Sequence, residues 1–289
     1  MTAAGVAGAF CVACATGAPF VKTLGRLERC TACGFIAFRD VGQLDVQEIY
    51  NEEYFSGAEY PDYLGQESAL RRSMRRHLSQ MSRFQSLRGS LLEVGCAYGF
   101  FLDEARAHFD LVEGVDIAGA PIEHARETLG LAARVGDFST LDFPRAPFDV
   151  VCMWDTIEHL ERPDAFVERA FDVLVPKGML FLTTGDIGSR NARLRGKRWR
   201  QIHPPSHLNY FSRHTMSRML SRFGFVVTGF ETAAYYHSLF NILASIRMRG
   251  RIGGRLASAS LGVIGELRAR QVGLWLDLGD TMFIAAQKP

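Results

Sequence analysis

Four cysteines near the start of the chain come as two Cys-x-x-Cys pairs, Cys11 with Cys14 and Cys30 with Cys33, separated by 15 residues. Each pair places two thiolates on one knuckle turn, and two knuckles complete a tetrahedral four-sulfur site suited to zinc. Gly34, directly after the second pair, gives the backbone freedom such a turn needs. A site filled by four thiolates has no open position, so the ion is structural and holds together a segment too short to build its own core. Cys96 and Cys152 lie in apolar surroundings and read as small buried hydrophobes. Thiols used this way imply a reducing, cytoplasmic setting.

A second constellation is the stretch Leu91-Leu92-Glu93-Val94-Gly95-Cys96-Ala97-Tyr98-Gly99-Phe100. It reads as a strand end, a turn of small residues and the start of a helix. Free backbone N–H groups and the helix dipole make such a turn a ligand cradle. A dinucleotide fingerprint would put a glycine where Phe100 stands, and Glu93 would repel a diphosphate. A carboxylate there suits a cationic ligand, such as the ammonium and sulfonium region of S-adenosylmethionine.

Further acids follow at the spacing of βαβ units. Asp116 ends the strand at 111–115 and lies 23 residues after Glu93, near the distance at which a carboxylate reaches ribose hydroxyls. A short strand at 132–135 precedes Gly136-Asp137-Phe138. The run 148–184 then reads as strand, helix from 163 to 174, a Pro176-Lys177-Gly178 turn and another strand.

Glu93-x-Gly95-x-Ala97-x-Gly99, followed in order by these acids and that turn, resembles class I S-adenosylmethionine-dependent methyltransferases. Ala97 stands where that family usually has glycine. The resemblance implies a Rossmann-like α/β fold with seven strands, six parallel and the last antiparallel. It further implies a cofactor site of Glu93, Gly95, Cys96, Ala97, Gly99, Asp116, Ile117, Asp137, Phe138 and Trp154. In it Asp137 contacts the adenine amino group and Phe138 packs on the ring. The segment 199–212 and the four cysteines resemble a bacterial subset of the family with an N-terminal zinc ribbon. The implied cofactors are S-adenosylmethionine and a structural zinc.

Methyl transfer needs a nucleophile held in line with the sulfonium methyl and, for a hydroxyl or an acidic carbon, a base. His203, His207 and His159 are candidates, with His207 favoured, and Tyr210 is a candidate for orienting the acceptor. From 187 to 230 there is no acid, whereas Arg190, Arg193, Arg195, Lys197, Arg198, Arg200, Arg213, Arg218 and Arg222 are all basic. A cationic segment at the carboxyl end of the sheet suggests an anionic acceptor: a small molecule, a glycan or a lipid-linked group, methylated on oxygen or carbon. Rival readings are an RNA methyltransferase recognising substrate through the ribbon, and a non-catalytic S-adenosylmethionine-binding module. Against RNA, the net charge is only +2 and the basic residues are not interleaved with a recognisable RNA-binding fold. Against the module, the three acids Glu93, Asp116 and Asp137 are all present.

The elements that must position these groups divide the 289 residues into three. Residues 1–44 form the ribbon, 45–87 a lid and helical connector, and 88–289 the methyltransferase domain, with a helical insertion at 233–279. The acidic, aromatic stretch from 45 to 63 reads as a lid over the cofactor site or, equally, as a surface connector. Residues 67–87 read as an amphipathic helix whose Arg71, Arg72, Arg75 and Arg76 form its solvated face. Ser212 is placed to cap a helix at 213–223. The insertion mixes apolar residues with arginines, the pattern of a helix packed on its own domain or, alternatively, of one lying on a membrane surface or capping the acceptor site. No apolar run approaches the roughly 20 residues that span a bilayer, and residues 1–10 carry no basic leader. Oligomeric state leaves no mark in the sequence.

Overall fold

The computed structural model describes residues 10–40, 63–249 and 265–289, without the side chains of 245–249 and 267. Most of the lid reading, 45–62, and the middle of the insertion fall outside the described residues.

The central layer is a seven-stranded sheet. Its strands are β4 (Ser90–Val94), β5 (Leu111–Asp116), β6 (Ala133–Val135), β7 (Phe148–Trp154), β8 (Leu174–Gly185), β10 (Val226–Thr232) and β13 (Thr281–Gln287). Their order is β10-β13-β8-β7-β4-β5-β6. β4, β5, β6, β7 and β8 run parallel, and β13 lies antiparallel to both β8 and β10. This is the Rossmann-like architecture expected. Strand β7 is buried over nearly its whole length, as a central parallel strand covered on both faces must be.

Helices cover the two faces. On one, α1 (Glu67–Met81), α2 (Phe100–Ala105) and α3 (Gly119–Glu127) bury Leu78, Met81, Phe101, Ile122 and Ala125 against Val150, Cys152 and Phe181. On the other, α4 (Pro163–Val173) and α6 (Arg213–Arg222) bury Val167, Ala170, Met216 and Leu220 against Leu92, Val151 and Leu180. Full burial of each such Leu or Met contributes about 2 kcal/mol. Pro163 opens α4, where its missing N–H costs nothing. Ser212 caps α6 in a reciprocal capping box with Thr215.

Of the α1 arginines expected on a solvated face, Arg72 and Arg75 are exposed, while Arg71 and Arg76 are partly covered. Arg71 pairs with Glu67, Asp103 and Glu104 and lies over the Phe100 ring. Arg72 and Arg76 lie over Tyr236 and Trp275. A guanidinium can pair and stack at once, so these residues tie α1 to its neighbours.

The N-terminal segment forms β1 (Phe20–Lys22), β2 (Glu28–Cys30) and β3 (Ile36–Ala37), joined by β9 (Asn209–Tyr210) from far along the chain into a four-stranded sheet β1-β2-β3-β9. Ile36 faces Tyr210, Ala37 faces Asn209, and Phe38 N–H donates to the Leu208 carbonyl at 2.8 Å. The segment read as a helical insertion begins and ends in strands instead. β11 (Tyr235–Ser238) pairs with β12 (Gly273–Leu276), flanking α7 (Leu239–Arg249) and α8 (Glu266–Gln271). Among the described residues no helix is long and apolar enough to cross a membrane.

Candidate functional site

Because β4, β5, β6 and β7 are parallel, their carboxyl ends meet on one side of the sheet, bringing Glu93, Asp116, Asp137 and Trp154 to that side. The chain turns at 95–99 with Gly95 at φ +76°, Ala97 at +42° and Gly99 at +78°. A Cβ on Gly95 would fall 2.5 Å from Thr156 Oγ1, and one on Gly99 would fall 2.6 Å from Leu131 Cδ1. Glycine at both positions is therefore required by space as well as by conformation. Ala97 holds the left-handed conformation without being glycine, a local strain of about 1 kcal/mol.

Asp116 ties the turn down. Its Oδ2 accepts the Ala97 N–H and its Oδ1 the Ala118 N–H, each at 2.9 Å. Each oxygen retains acceptor capacity for a hydroxyl. Glu93 is 3% exposed, and its Oε2 has no hydrogen-bond partner. Burial, followed by the nearby Asp116 charge, pushes its carboxyl well above the usual range. A buried carboxyl oxygen with no partner, beside a second carboxylate, fits a cationic ligand group. Asp137, exposed after β6, accepts the Ser139 N–H at 2.8 Å and its hydroxyl at 2.7 Å.

Two residues of this group differ in orientation from the others. The Phe138 ring is buried between Phe143 and Phe166, at 5.6 Å from each, while Ile117 and Val135 are the apolar side chains exposed beside the acids. The Trp154 indole stacks on His77 at 4.7 Å, under α1. Tyr63, the one described residue of the lid segment, stacks on Tyr98 of the turn at 5.3 Å.

A second cluster forms where β7 ends. Asp155 adopts φ +48°, and its N–H donates to the Thr183 hydroxyl at 2.9 Å. Its carboxylate accepts the Tyr235 hydroxyl at 2.7 and 2.9 Å and that of Thr183 at 3.0 Å. The short turn Ile157–His159 then presents Glu158 and His159. The segment before β9 is stitched onto this turn: Leu208 N–H donates to the Glu158 carbonyl at 2.8 Å, and Asn209 Nδ2 to the Leu160 carbonyl at 2.6 Å.

That stitching brings the three predicted histidines together. The His159 and His207 rings meet edge to face at 4.6 Å, and His203 stands 5.4 Å from His207. The Tyr210 hydroxyl donates to the His207 carbonyl at 2.9 Å, so this tyrosine fixes the segment. Burial holds His159 down at about 4. Burial, then the neighbouring His159 and His203, holds His207 well below the usual imidazole range. Both rings are neutral at physiological pH. Burial, then Asp155, pushes Glu158 up to about 8.

The sequence did not single out Glu158, Asp155 and Tyr235, and Arg200 stood out only as one of the basic run. The polar run Asp155-x-x-Glu158-His159 straight after an apolar strand was a usable signal for the first two. Arg200 is aimed by Asp280, whose carboxylate also accepts the Trp199 indole N–H at 2.8 Å and Asn191 at 2.7 Å. The other basic residues divide. Arg213 pairs with Asp186, and Arg222 reaches Asp164 and the Val12 carbonyl. Arg190, Arg193, Arg195, Lys197 and Arg198, on and just after α5 (Arg190–Arg195), form an exposed ridge.

In the ribbon, Cys11 and Cys33 Sγ lie 3.6 Å apart and Cys14 and Cys30 Sγ 3.9 Å, all four within 4.8 Å of one another. A tetrahedron with Zn–S of 2.3 Å needs sulfurs about 3.8 Å apart, so the four fit a zinc ion. Burial pushes Cys33 up to about 11. Burial also acts to raise Cys14, but its hydrogen bonds to Thr16 bring it down to about 7.

Residues 67–229, more than half of the chain, match the family described as "Methyltransferase domain". Over 95 residues the chain is 34% identical to a "Probable S-adenosylmethionine-dependent methyltransferase" of Mycolicibacterium smegmatis, covering 32% of this chain and 37% of that protein. Over 109 residues it is 33% identical to a ubiquinone biosynthesis O-methyltransferase of Neisseria meningitidis serogroup C, covering 34% of this chain and 45% of the relative. The chain thus spans less than half the length of these curated relatives. Among solved structures, magnesium protoporphyrin IX methyltransferase from Synechocystis, with bound SAH, superposes with a TM-score of 0.54 at 12% identity, over 84% of this chain and 98% of that one. That likeness is one of fold.

Proposed function

Because the chain belongs to the methyltransferase-domain family, we propose that it transfers the methyl group of S-adenosylmethionine to a hydroxyl or acidic carbon of an anionic small-molecule, glycan or lipid-linked acceptor. The observation that carries this reading is the 95–99 turn with Asp116 bonded into it and the unpartnered oxygen of Glu93 beside it. In this reading Glu93 faces the charged methionine end, Asp116 takes the ribose hydroxyls, Asp137 takes the adenine amino group, and Ile117 lies against the ring. The ribbon's four cysteines hold a structural zinc, supported by their sulfur spacing.

The acceptor enters from the side of Glu158, His159, His203 and His207. As the acceptor attacks in line, the S–CH3 bond breaks and the new bond to methyl forms, leaving S-adenosylhomocysteine. The acceptor's proton passes to an imidazole of the cluster, His207 or the exposed His203. Near-attack positioning is the larger part of the acceleration; proton removal contributes roughly 10²–10⁴-fold. Arg200, held by Asp280 with its side chain 46% exposed, is the cation best fixed to receive an acceptor's negative charge. The naming of one relative as an O-methyltransferase supports a hydroxyl acceptor.

The test is single-turnover S-adenosylhomocysteine release with a panel of anionic phenols and lipid-linked hydroxyl compounds. An active acceptor should lose at least a hundredfold in rate with His207→Ala while S-adenosylhomocysteine affinity stays within twofold. Full activity in that variant removes His207 from the reaction.

A further inference from the structure

Glu158, His159 and His207 have a geometry that proton transfer alone does not call for. One oxygen of Glu158 and one ring nitrogen of each histidine all lie within 4.8 Å of one another. The Glu158 Oε2 is buried without a hydrogen-bond partner. The segment is held by the main chain: His159 Nδ1 meets the Ser206 carbonyl at 2.9 Å, and the His207 N–H donates to the His203 carbonyl at 2.9 Å. A carbonyl beside one ring nitrogen orients the imidazole, as outer-shell partners do for metal-ligating histidines.

We propose that Glu158, His159 and His207 bind a divalent metal ion, distinct from the zinc of the cysteine ribbon, that takes the acceptor's oxygen as a further ligand. An ion at the centre of a 4.8 Å triangle is about 2.8 Å from each corner, so the ligands close by less than about 1 Å to reach 2.0–2.1 Å bonds. Two imidazoles and one carboxylate favour zinc, manganese or iron over magnesium or calcium. Three protein ligands leave positions open, as in metal sites that act on substrate. The site rests on the methyl-transfer reading only for its role: the ion would polarise the acceptor's O–H, and the proton would leave to His203, the imidazole outside the ligand set.

Cobalt(II) titration of the metal-stripped full-length chain tests this, because the two sites give different spectra. The first equivalent should produce the sulfur-to-cobalt charge-transfer band of a thiolate site. A second should add ligand-field bands without further charge transfer. Glu158→Gln and His207→Ala should each weaken the second equivalent at least tenfold, leaving the thiolate band unchanged. S-adenosylhomocysteine calorimetry on the same samples reports the fold and, separately, the methyl-donor site. If the wild-type chain takes up only the thiolate equivalent, or the variants bind the second as tightly as wild type, the proposal is overturned. Loss of S-adenosylhomocysteine binding alone would instead count against the methyl-transfer reading.

Discussion

At the scale of single residues, the positions that matter most are buried polar groups whose partners are missing or strained. Glu93 and Glu158 each carry an unpartnered buried oxygen. His77 is different: it is wholly buried between Trp154 and Tyr235, with no hydrogen-bond partner on either ring nitrogen. Burial lowers it to about 4 from an ordinary 6.5. A lowered value means its contribution to stability is complete above pH 6.5 and is lost as pH falls towards 4. Over that window the wild type should lose roughly 3 kcal/mol more stability than a His77→Phe variant. Denaturant unfolding at stepped pH checks this, and parallel curves for the two proteins would contradict it. Much at this scale was legible in the sequence. The cysteine spacing alone specified a four-sulfur site, because knuckle geometry is local. The acids after each strand were legible for the same reason. The inward turn of Phe138 was not, since the face a side chain takes depends on partners such as Phe166, 28 residues away.

At the scale of elements, the notable joint is β9 on the edge of the ribbon. The segment that carries His203 and His207 is pinned on one side to the Ile157–His159 turn and on the other to β3. The ribbon therefore helps hold His203 and His207 in place. Cys30→Ser, or metal removal by a chelator, should raise amide hydrogen exchange across 207–211 at least tenfold while leaving S-adenosylhomocysteine affinity within twofold. Unchanged exchange there would mean β9 holds its place without the ribbon. None of this joint was legible beforehand, because a two-residue strand such as Asn209–Tyr210 has no period to detect and its partner lies about 170 residues upstream. The hairpin of Tyr235–Ser238 with Gly273–Leu276 escaped for the same reason. It was read as part of a helical insertion, and it delivers Tyr235 to Asp155. The long parallel strands, by contrast, announced themselves through continuous apolar runs.

At the scale of the whole molecule, one end of one sheet gathers two chemistries. Glu93, the small-residue turn and Asp116 stand on β4 and β5, while Asp155, Glu158 and the histidines stand beyond β7, the strand next to β4. A donor bound at the first would thus have its reactive end towards the second. The cationic ridge from Arg190 to Arg198 lies on the connection that leads into the histidine segment. The central claim is that the 95–99 turn with its flanking acids binds a methyl donor. Calorimetric titration of the pure chain with S-adenosylmethionine and S-adenosylhomocysteine tests it most directly. The structure predicts saturable binding at one site per chain, weakened roughly 10–100-fold by Asp116→Ala as charge-assisted hydrogen bonds are lost. No saturable heat with either compound, or an affinity indifferent to Asp116, would contradict it.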